Sequence, residues 1–152
     1  MEESGDMFYG EFEHSIDRKD RLIIPSKFRE AFKENYIDKF YVTRGLDKCL
    51  FLFTEEEWKN QEQKFKAIPF TKPDGRRFAR IFFSGAVALT CDKQGRILLP
   101  AYLKDFAGIK KDVMIVGLSN RIEIWNKDSW KNYFDTWKES VEEVAERLVG
   151  NN

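Results

Sequence analysis

Short runs in which apolar and polar positions alternate give way at intervals to helical spacing, and this rhythm sets out the elements of the chain. Residues 8–16 place Phe12 and Ile16 on one face of a period-two pattern with polar residues between, which predicts a half-buried strand. Leu22-Ile23-Ile24 follows a turn and is ended by Pro25, which lacks a ladder donor and biases Ile24 toward extended backbone. A short helix fits residues 26–32, and strands fit 40–43 and 49–53, joined by Gly45-Leu46-Asp47-Lys48. Thr54 and Glu57 form a capping-box pattern ahead of a helix carrying Trp58 and Phe65. Pro69, Pro73 and Asp74-Gly75 then predict a turn over residues 69–75.

The series starts again beyond that turn. Ile97-Leu98-Leu99 ends at Pro100, a helix fits residues 101–106, strands fit 113–116 and 122–125, and Asn126 is placed to cap a helix over 127–148. That helix carries Trp130, Phe134, Trp137, Val141, Val144 and Leu148 in the alternating four-three spacing of a heptad seam. The seam calls for a cover, either the protein's own body or a second subunit.

The restart is literal. Asp17-Arg18-Lys19-Asp20-Arg21-Leu22-Ile23-Ile24-Pro25 returns as Asp92-Lys93-Gln94-Gly95-Arg96-Ile97-Leu98-Leu99-Pro100, both copies reading D-x-x-x-R, three aliphatics and proline. The same offset of 75 residues carries Phe8 onto Phe83, Gly10 onto Gly85, Phe28 onto Leu103 and Arg29 onto Lys104. Further on the offset becomes 72, relating Gly45-Leu46 to Gly117-Leu118, Leu50 to Ile122, Leu52 to Ile124 and Trp58 to Trp130. An excess of three residues in the first copy, expected in the loop at 34–39, accounts for the slip. The chain is therefore two half-length units, residues 7–64 and 82–150, with a connector over 65–81. In the second copy Asp92 opens the hairpin turn and Gly95 closes it, as a type I turn followed by a left-handed residue requires.

Composition narrows the function. With 42% hydrophobic and 34% charged residues in 152, the chain suits a soluble globular protein with a real core. No apolar run approaches the ~20 residues of a membrane span, and the acidic start, Met1-Glu2-Glu3-Ser4-Gly5-Asp6, is unlike a signal peptide, so a cytoplasmic location is expected. Cys49 and Cys91 stand in apolar surroundings without CxxC spacing and suit small buried hydrophobes better than a disulfide or metal pair. Net charge is zero, but it is segregated. The N-terminal residues and Glu139, Glu142, Glu143 and Glu146 are acidic, whereas Arg18, Lys19, Arg21, Lys27, Arg29 and Lys33 form one basic group and Lys72, Arg76, Arg77 and Arg80 another.

Catalysis finds little support. His14, the single histidine, falls on the polar face of the first strand without a triad or metal spacing, and there is no P-loop or dinucleotide fingerprint. No enzyme, metal, cofactor or small-molecule substrate is expected; Asp17 and Asp92 meeting at a pseudo-twofold axis is the one catalytic arrangement left open. What remains is a basic hairpin tip presented twice. Arg18, Lys19 and Arg21 in one copy, and Lys93 and Arg96 in the other, are the candidate DNA contacts, since a β-ribbon fits a major groove where guanidinium grips guanine and lysine neutralises phosphate. The competing explanation is that aspartate and arginine merely brace each turn. A scaffold that only assembles a ring, and an RNA binder using the same tips, are alternatives; RNA reading calls for exposed aromatics, and the aromatics here follow a buried periodicity.

Met7-Phe8-x-Gly10, the two D-x-x-x-R signatures ending in Pro25 and Pro100, and Gly117-Leu118 ahead of Ile122-Glu123-Ile124-Trp125 together resemble the bacterial MraZ family over residues 7–130. The resemblance implies an α+β, mainly β fold: a tandem AbrB-like, pseudo-twofold swapped-hairpin β-barrel with flanking helices. It also implies ring-shaped homo-oligomers and a sequence-specific DNA-binding transcriptional regulator, usually a repressor, acting from the nucleoid on repeated promoter boxes of its own cell-division and cell-wall gene cluster. Carried over by position, Asp17 and Arg21, and Asp92 and Arg96, match the family signature, with Gly95 supporting the second turn. Arg18, Lys19 and Lys93 are added on charge. Family sequences usually begin at the position of Met7, so residues 1–6 are an acidic extension or a start-site choice. Asp20 stands where the family has glycine, which costs backbone freedom and sets an anion beside Arg21.

Overall fold

A strand buried on both faces needs cover above and below, and Leu50-Phe51-Leu52-Phe53 is such a strand. In the computed structural model, which describes residues 8–150, it lies inside a six-stranded antiparallel sheet. The strands are β1 (Phe8–Ser15), β3 (Phe40–Arg44), β4 (Leu50–Thr54), β5 (Val87–Leu89), β7 (Asp112–Ser119) and β8 (Ile122–Asn126), in spatial order β1-β7-β8-β4-β3-β5. A separate two-stranded ribbon pairs β2 (Arg21–Ile23) with β6 (Arg96–Leu98). Met7 and the acidic residues 1–6 lie outside the described residues.

Pairing runs between the repeats more than within them. β1 of the first repeat pairs with β7 of the second, and β5 of the second pairs with β3 of the first. The fourth strands meet each other, with Leu50 opposite Ile124 and Leu52 opposite Ile122. Exchanging each of these fourth-strand residues for its repeat equivalent returns the same pairs, so a pseudo-twofold axis passes beside Phe51 and Glu123. The ribbon obeys the same symmetry, with Arg21 opposite Leu98, Ile23 opposite Arg96, and Leu22 and Ile97 facing one another at its centre.

Period-two alternation divides the core between the faces of the sheet. Leu50, Leu52, Ile122, Ile124, Val113 and Ile115 point to one side, where they join Leu22, Ile24, Ile97 and Leu99 from the ribbon and its flanks. Phe51, Phe53, Val116 and Trp125 point to the other, against Trp58 and Phe82. The helices α1 (Ser26–Glu34) and α4 (Ala101–Phe106) close the first side through Phe28, Phe32 and Leu103. On the second side lie α2 (Glu55–Lys66), α3 (Pro73–Ser84) and α5 (Lys127–Trp137).

Four expectations are corrected. The three-residue excess of the first repeat is an additional helical turn, since α1 has nine residues and α4 six. Pro73, Asp74 and Gly75 open α3 and are not the centre of a turn, because proline suits a first helical turn, where its missing N–H would have no partner. Phe83 and Gly85, repeat equivalents of Phe8 and Gly10, accordingly sit at the C-terminal end of a helix while Phe8 and Gly10 sit in β1. The C-terminal helix is interrupted by a 3₁₀ turn, Lys138–Ser140, and continues as α6 (Val141–Gly150). Caps behave nearly as read. Thr54 accepts from Glu57 N at 3.2 Å and Asn126 from Ser129 N at 3.0 Å, although the Glu57 carboxylate turns to Asn60 and Gln61 instead of completing the box.

Gly117 faces Gly10 where β1 crosses β7. A Cβ at Gly117 would lie 2.6 Å from Tyr9 N, 2.8 Å from Phe8 C and 2.9 Å from Phe28 Cζ. Two of these are backbone atoms that cannot rotate away. Gly117→Ala is therefore expected to destabilise by about 1–3 kcal/mol through overpacking, read as a lower denaturant midpoint; an unchanged midpoint would mean that β1 can lift off without cost.

Candidate nucleic-acid interface

The two signature turns are built alike, bond for bond. Asp17 O accepts from Asp20 N at 3.1 Å and Asp92 O from Gly95 N at 3.0 Å, closing each reverse turn. Asp17 Oδ1 also accepts from Lys19 N (2.8 Å) and Arg21 N (3.0 Å), and Asp92 Oδ1 from Gln94 N and Arg96 N (2.9 Å each). The other carboxylate oxygen of each aspartate binds arginine Nε, at 2.7 Å from Arg21 and 2.8 Å from Arg96. Chiefly because they accept these backbone N–H groups, with the arginine side chain adding to the effect, both carboxyls are held below the usual carboxylate range.

The aspartate is thus the organiser of its turn, and the arginine bends back to it. The side chains of Arg21 and Arg96 are 31% and 25% exposed, so neither projects freely. Each spends Nε on the brace, and among the described residues no hydrogen bond uses the two terminal nitrogens of either guanidinium. Arg18, Lys19 and Lys93 are exposed at the tips and form no ion pair with a described residue. Bracing and presentation therefore coexist in one side chain.

Each tip is tied to the other repeat. Ile24 N donates to Gly95 O and Leu99 N donates to Asp20 O, both at 2.9 Å, so the two turns clasp one another's strands. Gly95 has φ +80°, and a Cβ there would meet the Arg29 side chain at 2.4 Å; Arg29 crosses the turn to give its Nε to Ile24 O at 2.8 Å. Asp20 occupies the equivalent place with φ 62°. Its carboxylate turns to Lys104 Nζ at 2.5 Å, and Lys104 is the repeat equivalent of Arg29. Arg29 and Lys104 are thus turn supports that the reading of the sequence did not assign, although the 75-residue offset had already paired them.

Asp20→Gly is expected to relieve about 1 kcal/mol of left-handed strain, offset in part by loss of a partly exposed ion pair and by the chain entropy of glycine. Net stability should change little. Removing the anion and releasing Lys104 should tighten DNA binding, measured by fluorescence anisotropy at several salt concentrations. Weaker binding would show that Asp20 itself orients the tip or accepts from a base.

Other candidates resolve differently. His14 is half-buried, not exposed, and burial, aided by the positive charge of Arg29, keeps its imidazole below the ordinary range. Cys49 is fully buried, and burial pushes its thiol up strongly; Cys91 is half-buried. Among the described residues no cluster of histidine, cysteine, aspartate and glutamate could hold a metal ion, and no helix is long and apolar enough to cross a membrane. The buried periodicity of the aromatics has clear exceptions, with Tyr36 94% and Phe70 81% exposed.

Two symmetry-related, aspartate-organised basic turns on one interlaced α+β body define a two-repeat protein whose halves share a single signature. A family model described as "MraZ protein, putative antitoxin-like" matches twice, over residues 7–81 and 82–152. The chain is also 51% identical over 143 residues to the "Transcriptional regulator MraZ" of Acetivibrio thermocellus, a match covering 94% of this chain and 97% of that relative. This chain belongs to the MraZ family.

Proposed function

We propose that this protein is a transcriptional regulator that binds double-stranded DNA sequence-specifically through its paired turns, in the cytoplasm at the nucleoid. The observation that carries the reading is the duplicated turn, which sets exposed Arg18 and Lys19, and exposed Lys93, beside arginines whose terminal nitrogens stay available among the described residues. In this reading Arg21 and Arg96 contact base edges while Arg18, Lys19 and Lys93 neutralise phosphate. Asp17, Asp92 and Gly95 hold the turns in shape. The interlaced strands are read as a tandem AbrB-like swapped-hairpin β-barrel, with repeats at residues 7–64 and 82–150 and a connector at 65–81. A homo-oligomeric ring would place many tips along repeated promoter boxes and convert weak contacts into avid ones.

The target proposed is the promoter of the protein's own cell-division and cell-wall gene cluster, with repression as the outcome. A gel shift with the DNA immediately upstream of the protein's own gene tests this. The expected result is a specific complex whose affinity falls steeply as salt rises. Assembly without any DNA complex would favour a scaffold, and equal affinity for single-stranded RNA would overturn operator recognition.

A further inference from the structure

The loop end of the hairpin formed by α2 and α3 and the C-terminal arm beyond Trp137 carry opposite charges and exposed apolar side chains, and no described residue covers either. α2 and α3 form a hairpin whose loop lifts Phe70 into solvent at 81% exposure, with Ile68 and Ile81 also exposed. Between them runs an open groove of about 470 Å³, floored by Phe65 and Phe78 and edged by Lys66, Arg76 and Arg80. Over residues 64–80 six cations face one anion. Arg76 is partly engaged, donating Nη1 to Phe70 O at 3.0 Å, but no ion pair among the described residues uses Lys66 or Arg80.

At the other end of the chain, Trp130 packs on Trp125 and Tyr133, and there the cover for the heptad seam stops. Trp137 is 50% and Leu148 72% exposed, and α6 has no buried residue. Of the two covers open to the seam, the protein's own body thus supplies one only at its start. Beside the apolar stripe of α6 run Glu142 and Glu146, one helical turn apart and on one edge. Residues 138–150 hold four anions and two cations.

From this complementarity we infer that the C-terminal arm, from Trp137 through α6, docks in the α2–α3 groove of a second copy of the chain. Two acidic arms repel one another, as do two basic hairpins, so pairing like with like is disfavoured and arm-to-groove contact is favoured. Trp137, Val141 and Leu148 fill the apolar floor while Glu142 and Glu146 meet Lys66 and Arg80. Such a contact is heterologous: each copy uses its arm on one neighbour and its groove on the other, which closes into a ring when the rotation permits. The inference rests on the homo-oligomeric part of the proposed function and is independent of DNA binding.

The test is a pair of charge reversals in the full chain, followed by light scattering coupled to size-exclusion chromatography. Lys66→Glu with Arg80→Glu sets carboxylates on the two groove-edge positions that face the acidic arm, and Glu142→Lys with Glu146→Lys sets lysines on the arm against the basic groove edge. Arg76 and its bond to the loop are left in place in both. Each variant alone should be a folded monomer at concentrations where the wild-type chain is assembled, and an equimolar mixture of the two should reassemble. All four changes in one chain should also restore assembly. Monomeric wild-type protein would overturn the oligomer itself. Wild-type assembly that both reversals leave intact, or a mixture that stays monomeric, would place the interface elsewhere. If Lys66→Glu with Arg80→Glu assembles normally but loses DNA affinity and salt dependence, the patch is a phosphate contact and the inference fails.

Discussion

Arg21→Ala combined with Arg96→Ala is expected to abolish specific DNA binding while the thermal transition stays nearly unchanged. A bidentate arginine contact to guanine carries about 1–3 kcal/mol of discrimination, and the double change removes one from each tip of every protomer. In an assembly the loss multiplies with the number of tips engaged. Folding should be spared because the backbone N–H groups of each turn bind Asp17 and Asp92, not the arginines. The remaining arginine–aspartate bond is partly exposed, and exposed pairs contribute little to stability. Asp17→Asn with Asp92→Asn supplies the contrast, since it keeps the side-chain acceptor for the turn but weakens the hold on Nε. If the double alanine variant loses its fold as readily as its DNA, the arginines are braces and the interface has been misassigned.

Leu22→Ala and Ile97→Ala are each expected to cost about 2–5 kcal/mol, by lost apolar burial plus the cavity left behind. Both side chains are fully buried and face each other at the centre of the ribbon. Because the two share one contact, the double variant should fall short of the sum of the single ones. Urea titration of the three variants reads both effects. Costs that differ strongly between the two singles would show that the repeats, though equivalent in pairing, are unequal in packing. Strict additivity would show that the residues do not couple across the axis.

Most strands were legible, because each strand's faces are written in its own alternation. Partner choice was not. Nothing local in Phe12 or Ile16 says that β1 pairs with β7 of the other repeat, since period-two patterning assigns faces and leaves neighbours to tertiary packing. Pro73 read as a turn because proline, aspartate and glycine stood together, yet the same proline suits a first helical turn. The break at Lys138–Ser140 has neither proline nor glycine to announce it, so an unbroken heptad spacing suggested a single helix. At the candidate site the organising aspartates, the arginines and the left-handed glycine were all readable from the duplicated signature. The Asp20–Lys104 pair was not, because it depends on α4 of one repeat lying across the turn of the other.

The exchange of strands between repeats also bears on how the chain emerges during synthesis. Ser15, at the end of β1, finds its partner Asp112 only 97 residues later. At translation rates of about 5–20 residues per second, a finished β1 waits roughly 5–20 s with an open edge before β7 exists to receive it. The first half therefore leaves the ribosome as an incomplete object, and cooperative closure of the core must await nearly the whole chain.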